Sequence, residues 1–233
     1  MQITTPTEIT SVAWEGELVA PAVSYSLSTQ ERPVVTIGQP EIWAAAGALE
    51  NEVGQKWTPP LGDAGYWLLR LACTLRDPPG SQNITEANQM LYLRPRNSQA
   101  DENAAYAYSL FPDRLSVEDK GEISASLGPE LKFADGSGFS VGQLGTKIDY
   151  RQVFPVIQSY GAGESAPYWT FKPHAAHPLE GSQFVYAVAV ARAGAGGIRA
   201  SLELVVTVET KLGGIIKYGT PQEARAHINF TIP

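Results

Sequence analysis

Two strand-like runs, residues 184–191 and 198–209, are joined by the glycine-rich connector Ala193-Gly194-Ala195-Gly196-Gly197. No other stretch limits the possible folds as strongly. In the second run Ile198, Ala200, Leu202, Leu204, Val206 and Val208 fall on one side. Arg199, Ser201, Glu203, Thr207 and Glu209 share the other, with Val205 the exception. A period of two is the signature of a half-buried β-strand. The first run, Phe184-Val185-Tyr186-Ala187-Val188-Ala189-Val190-Ala191, is apolar on both sides and predicts a strand inside a sheet covered on both faces. With the glycines between them, the two runs read as a hairpin at the centre of a sandwich or barrel. Insertion of such a hairpin into a membrane is the weaker reading, because the first run has no polar face to line a channel.

The rest of the chain supports the same class. Residues 66–76 place Trp67, Leu69, Leu71, Cys73 and Leu75 on one face. Shorter strands are expected at 23–27, 33–37, 89–93, 122–127, 130–133, 148–154, 168–171, 215–218 and 227–232, with 22 glycines and 17 prolines distributed as punctuation. Residues 40–53 read as the one helix, with Pro40 in its first turn and Ile42, Trp43, Ala46, Leu49 and Val53 along one face; a pair of short strands is the alternative. The expected fold is therefore all-β, an antiparallel β-sandwich with at most one or two short helices. It is either one large sandwich over residues 1–233 or two tandem small ones, 1–134 and 135–233. The polar residues 97–103 form the best candidate for a long exposed loop or boundary.

Composition limits the function classes. Hydrophobic residues make up 43% of the chain and charged residues 18%, enough apolar material for a core without metal or disulfide staples. The lone cysteine, Cys73, sits in an apolar run and reads as a small buried hydrophobe. A formal charge of −7 argues against a nucleic-acid binder, and the longest basic concentration is Arg94-Pro95-Arg96. No apolar run reaches the roughly 18 residues of a membrane-spanning helix. The first residues lack the pattern of a secretory signal, so a soluble, cytoplasmic protein is the expectation.

Candidate chemistry is sparse. His174 and His177, three apart between Pro173 and Pro178, have metal-like spacing but lack further ligands nearby in sequence. No Gly-x-Ser-x-Gly elbow is present, and the glycine connector opens no helix that could cradle a phosphate. Glu17, Glu41, Asp149, Glu203 and Glu209 lie on or beside expected strands, yet glycoside hydrolysis needs two carboxylates at a set separation. Trp14, Tyr150, Tyr168 and Trp169 could stack on sugar rings, with Asp149 as a polar contact. No stretch carries the motif of a recognised family, and no cofactor is implied. The residues favour a non-enzymatic interaction or assembly module that binds a protein partner or self-associates. The alternative is a carbohydrate-binding or glycan-hydrolysing sandwich.

Overall fold

A computed structural model describes residues 11–20, 32–50, 56–76, 83–117, 123–126, 132–133, 156–173, 179, 181–209 and 215–233. In chain order the strands are β1 (Val12–Glu17), β2 (Val34–Gly38), β3 (Glu41–Ala44), β4 (Leu49–Glu50), β5 (Gly65–Leu75), β6 (Asn83–Pro95), β7 (Ala105–Phe111) and β8 (Arg114–Val117). They continue with β9 (Ile123–Ser126), β10 (Lys132–Phe133), β11 (Val156–Tyr160), β12 (Tyr168–Lys172), β13 (Gly181–Ala191), β14 (Ile198–Glu209), β15 (Ile215–Gly219) and β16 (Asn229–Ile232). The α-helices among the described residues are single turns, α1 (Ala45–Ala48) and α2 (Arg225–Ile228).

The fold is the expected all-β, sandwich-like arrangement of two antiparallel sheets. The first runs in the order β1-β2-β5-β13-β7, with β3 also on β5, and the second in the order β15-β14-β6-β12-β11-β8-β9, with β16 also on β14. β4 and β10 form a separate two-stranded ladder. Strands from either side of position 134 interleave in both sheets: β13 pairs with β5 and β14 with β6.

Between the sheets lies the main core. Leu69, Leu71 and Cys73 of β5 and Val185, Ala187 and Ala189 of β13 meet Leu91 and Leu93 of β6, Trp169 and Phe171 of β12, and the even-numbered residues of β14. Burying one such aliphatic side chain stabilises the fold by roughly 1.5–3 kcal/mol. A second cluster covers the opposite face of the first sheet, where Tyr66, Leu68, Tyr186, Val188 and Val190 pack against Ala45, Ala48, Leu49 and Trp57. β13 is thus covered on both faces, as its doubly apolar sequence requires.

Two expectations are corrected. First, β13 and β14 do not form a hairpin. β13 is bonded to β5 and β7, β14 to β6, β15 and β16, and the glycine connector crosses from one sheet to the other. Gly194, Gly196 and Gly197 all have positive φ, and a Cβ on Gly197 would lie 2.7 Å from the Ile232 carbonyl oxygen. The crossing is clamped by Arg96 N–H on the Gly197 carbonyl and Asn97 N–H on the Ala195 carbonyl, both at 2.9 Å. Second, residues 40–50, the described part of the expected helix at 40–53, take the alternative form of two short strands, β3 and β4, around a single helical turn. Ile42 and Trp43 register with Leu69 and Leu68 of β5, and the β-ladder leaves only the single turn of α1 before β4. The strands expected at 23–27 and 148–154 lie outside the described residues. Residues 227–232 begin in the last turn of α2 and become strand only at Asn229.

Candidate functional site

The outward face of the second sheet is built from the polar positions of β6, β14 and β16. Inward positions of β14 are consumed by the core, so Arg199, Ser201 and Glu203 are left facing out. Register fixes their neighbours. Arg94 of β6 and Thr231 of β16 flank Arg199, Tyr92 and Asn229 flank Ser201, and Met90 lies beside Glu203. All of these except Met90 line a groove of ≈ 680 Å³, to which Arg225 of α2 also contributes.

The two ends of this groove differ in charge. At one end Arg94 and Arg199 occupy directly opposed positions, and both are exposed. Arg199 Nη2 donates to the Pro95 carbonyl at 3.4 Å, but among the described residues no carboxylate pairs with either arginine or with Arg225. At the other end the Tyr92 hydroxyl donates to Glu203 Oε2 at 3.0 Å. Burial, with the Glu203 carboxylate as acceptor and neighbouring charge, raises the Tyr92 pKa above the usual phenol value, so Tyr92 stays a neutral donor. Thr220, at the edge of the groove, is tied to the β14 backbone: its Oγ1 accepts from Leu204 N–H at 2.8 Å.

The aromatic residues singled out as stacking candidates are not brought together. Trp14 lies on β1 of the other sheet, half-buried against the main core, its ring filling the space a Cβ on Gly16 would need. Trp169 is wholly buried between the sheets and presents no face to a ligand. Tyr168, next to it on β12, points the opposite way and stacks on Tyr160 at 4.8 Å with ring planes 17° apart. Asp149, Tyr150, His174 and His177 lie outside the described residues. Among the described residues no group of three His, Cys, Asp or Glu side chains could hold a metal.

The carboxylates are dispersed. Glu41 is bound by Arg70 through its Nε (3.1 Å) and Nη2, Glu17 lies 3.9 Å from Arg32, and Glu203 takes the Tyr92 hydroxyl. Glu203 is the one carboxylate among the described groove residues, which does not supply the pair that glycoside hydrolysis uses. The arginine pair escaped sequence reasoning because Arg94 and Arg199 are 105 positions apart (199 − 94) and meet only through the β6–β14 register. Each was visible singly, as the start of Arg94-Pro95-Arg96 and as a polar position of the second run.

No family model matches the chain, and no curated protein matches it. Among solved structures it is similar to a pore forming protein, at 10% identity and a TM-score of 0.34 over 86% of this chain and 88% of that one. It is also similar to the membrane-inserted form of the Clostridium perfringens NetB toxin, at 11% identity and a TM-score of 0.33 over 93% and 90% of the two chains. At this level of likeness no functional residue passes from those proteins to this one. Among the described residues no helix is long and apolar enough to cross a membrane.

Proposed function

We propose that this protein is a non-enzymatic binding module that holds an anion-bearing ligand in the groove of its second sheet. The carrying observation is the opposition of Arg94 and Arg199 on neighbouring strands. Like charges directly opposite in a ladder are destabilising, and no described carboxylate offsets them. Arginines at directly opposed positions suit the oxygens of a sulfate, phosphate or carboxylate, which would remove the repulsion and gain charge-assisted hydrogen bonds. The chain as a whole carries a formal charge of −7, so this local pair is not the overflow of a basic surface.

Thermal unfolding with inorganic pyrophosphate, set against sodium chloride at equal ionic strength, tests this reading. Pyrophosphate should raise the Tm of the wild type beyond the salt control, by mass action on the folded state. The double variant Arg94→Gln, Arg199→Gln should lose that increment. An increment unchanged in the double variant would place the anion elsewhere, and no increment in the wild type would remove the reading.

Self-association is a second reading of an interaction module, favoured by Ile215. This side chain is 70% exposed on β15, the terminal strand of the second sheet's path. Light scattering across a dilution series would decide it, since a strict monomer at high concentration removes that reading.

A further inference from the structure

The groove is longer than a bare anion needs. Arg199 and Glu203 are four residues apart on β14, which separates their backbones by ~13 Å at the usual strand rise. Between them lies a cross-strand row of hydroxyl and amide side chains, Tyr92, Ser201 and Asn229. Tyr92 occupies one oxygen of Glu203, leaving the second to accept from a ligand. A volume of ≈ 680 Å³ falls in the range of small-molecule sites. A matching ligand carries an anionic group at one end, neutral hydroxyls along its length, and a hydroxyl donor at the far end. Two linked sugar rings have that shape and chemistry.

Resting on the anion reading above, we propose that the groove takes an acidic oligosaccharide running along β14. The sulfate, phosphate or carboxylate of one ring binds Arg94 and Arg199, and a hydroxyl of the next ring donates to Glu203. The Glu203 carboxylate repels an anionic group placed directly beside it, so the groove selects against ligands that carry their second charge at that position. The same face continues through Met90 to Tyr168, because Glu203, Met90 and Tyr168 form one row across β14, β6 and β12. Tyr160, stacked on Tyr168 and 39% exposed, extends that face with an aromatic surface suited to the CH side of a further ring.

Isothermal titration at fixed ionic strength with singly sulfated lactose, lactose and inorganic sulfate tests this. Sulfated lactose should bind about tenfold or more tighter than either other probe, each lacking one half of the recognised chemistry. E203Q should weaken sulfated lactose about tenfold. The same variant should bind inorganic sulfate no more weakly, since it removes a negative charge. Sulfated lactose binding no better than inorganic sulfate, or undiminished in E203Q, overturns the oligosaccharide proposal while leaving anion recognition standing. If no sulfate-bearing probe binds, the anion reading itself fails. Phosphatidylcholine vesicles containing sulfated lactosylceramide offer the same sulfated disaccharide on a lipid. Co-sedimentation with them alongside free sulfated lactose binding supports a glycolipid source; free binding without co-sedimentation supports a soluble or polymeric glycan.

Discussion

Arg94 and Arg199 stand directly opposite each other on β6 and β14, two exposed guanidinium side chains on adjacent strands without a described carboxylate between them. In a protein of formal charge −7, ample acidic residues were available to pair them. Leaving both without a described carboxylate partner sacrifices stability at a surface position, the pattern expected where a site is arranged for a ligand rather than for the fold.

Replacing Arg199 with Thr should therefore leave the ligand-free protein as stable as the wild type or more so, by about 0.2–1 kcal/mol, since it removes like-charge repulsion and adds a good strand former. Thermal melts at low and high salt would check this. Salt should stabilise the wild type more than the variant by screening the arginine pair, and a variant markedly less stable at both salt levels would mean that Arg199 supports the fold.

Leu204 and Glu203 are neighbours on β14 with opposite fates: Leu204 is wholly buried, whereas Glu203 borders the groove. Leu204→Ala should cost about 2–5 kcal/mol in urea unfolding, through lost burial and the cavity it leaves. Glu203→Gln should change stability by less than about 0.5 kcal/mol, because the amide oxygen still accepts from Tyr92. Equal effects would reverse the assigned faces.

Cys73 is fully buried in the main core, and that burial pushes its thiol pKa up to about 12. The folded pKa lies above the ordinary thiol value of about 8.5. Stability is therefore complete below that pH and falls as pH rises toward the folded value, because the unfolded chain loses the proton first. The contribution of this group to the slope is about 1.4 kcal/mol per pH unit. Cys73→Ala should flatten the alkaline limb of the stability profile, and Cys73 in the native wild type should resist a thiol reagent until the protein is denatured.

On the other sheet Arg70 is buried beneath Trp43, 5.5 Å from its ring centroid, and bound to Glu41 across the β3–β5 ladder. Glu41→Ala should cost about 2–3 kcal/mol, because it withdraws a carboxylate that accepts hydrogen bonds from a side chain only 7% exposed. Chemical denaturation would show it. A loss within experimental scatter would mean that Arg70 is held by its other contacts.

Much of the fold was legible because period-two alternation reports burial directly. β14 and β5 present the faces read from sequence, and β13 is enclosed as its two apolar sides demand. The partnership of β13 with β14 is not legible in sequence, because a glycine connector permits either a hairpin or a crossing between sheets. The deciding clue was physical: one run needs cover on both faces and the other on only one, so they suit different sheets. The helix expected at 40–53 failed because helical spacing of Ile42, Trp43 and Ala46 is also compatible with a strand and a single turn, and pairing with β5 selects the latter. The groove was not legible at all. Its rows join side chains from three strands, and register across strands distant in sequence is not written in any one of them. Among the aromatic candidates, strand alternation places Tyr168 outward and Trp169 inward, so adjacent residues could not both face one ligand.

The arginine side-chain Nε–Hε resonances of the 15N-labelled protein, followed by NMR during titration with singly sulfated lactose, report most directly on anion recognition in this groove. The signals assigned to Arg94 and Arg199 should shift saturably and together, with one dissociation constant, while that of Arg76 on the other sheet's flank stays in place. Saturable shifts confined to other arginines, or none at all, would contradict it.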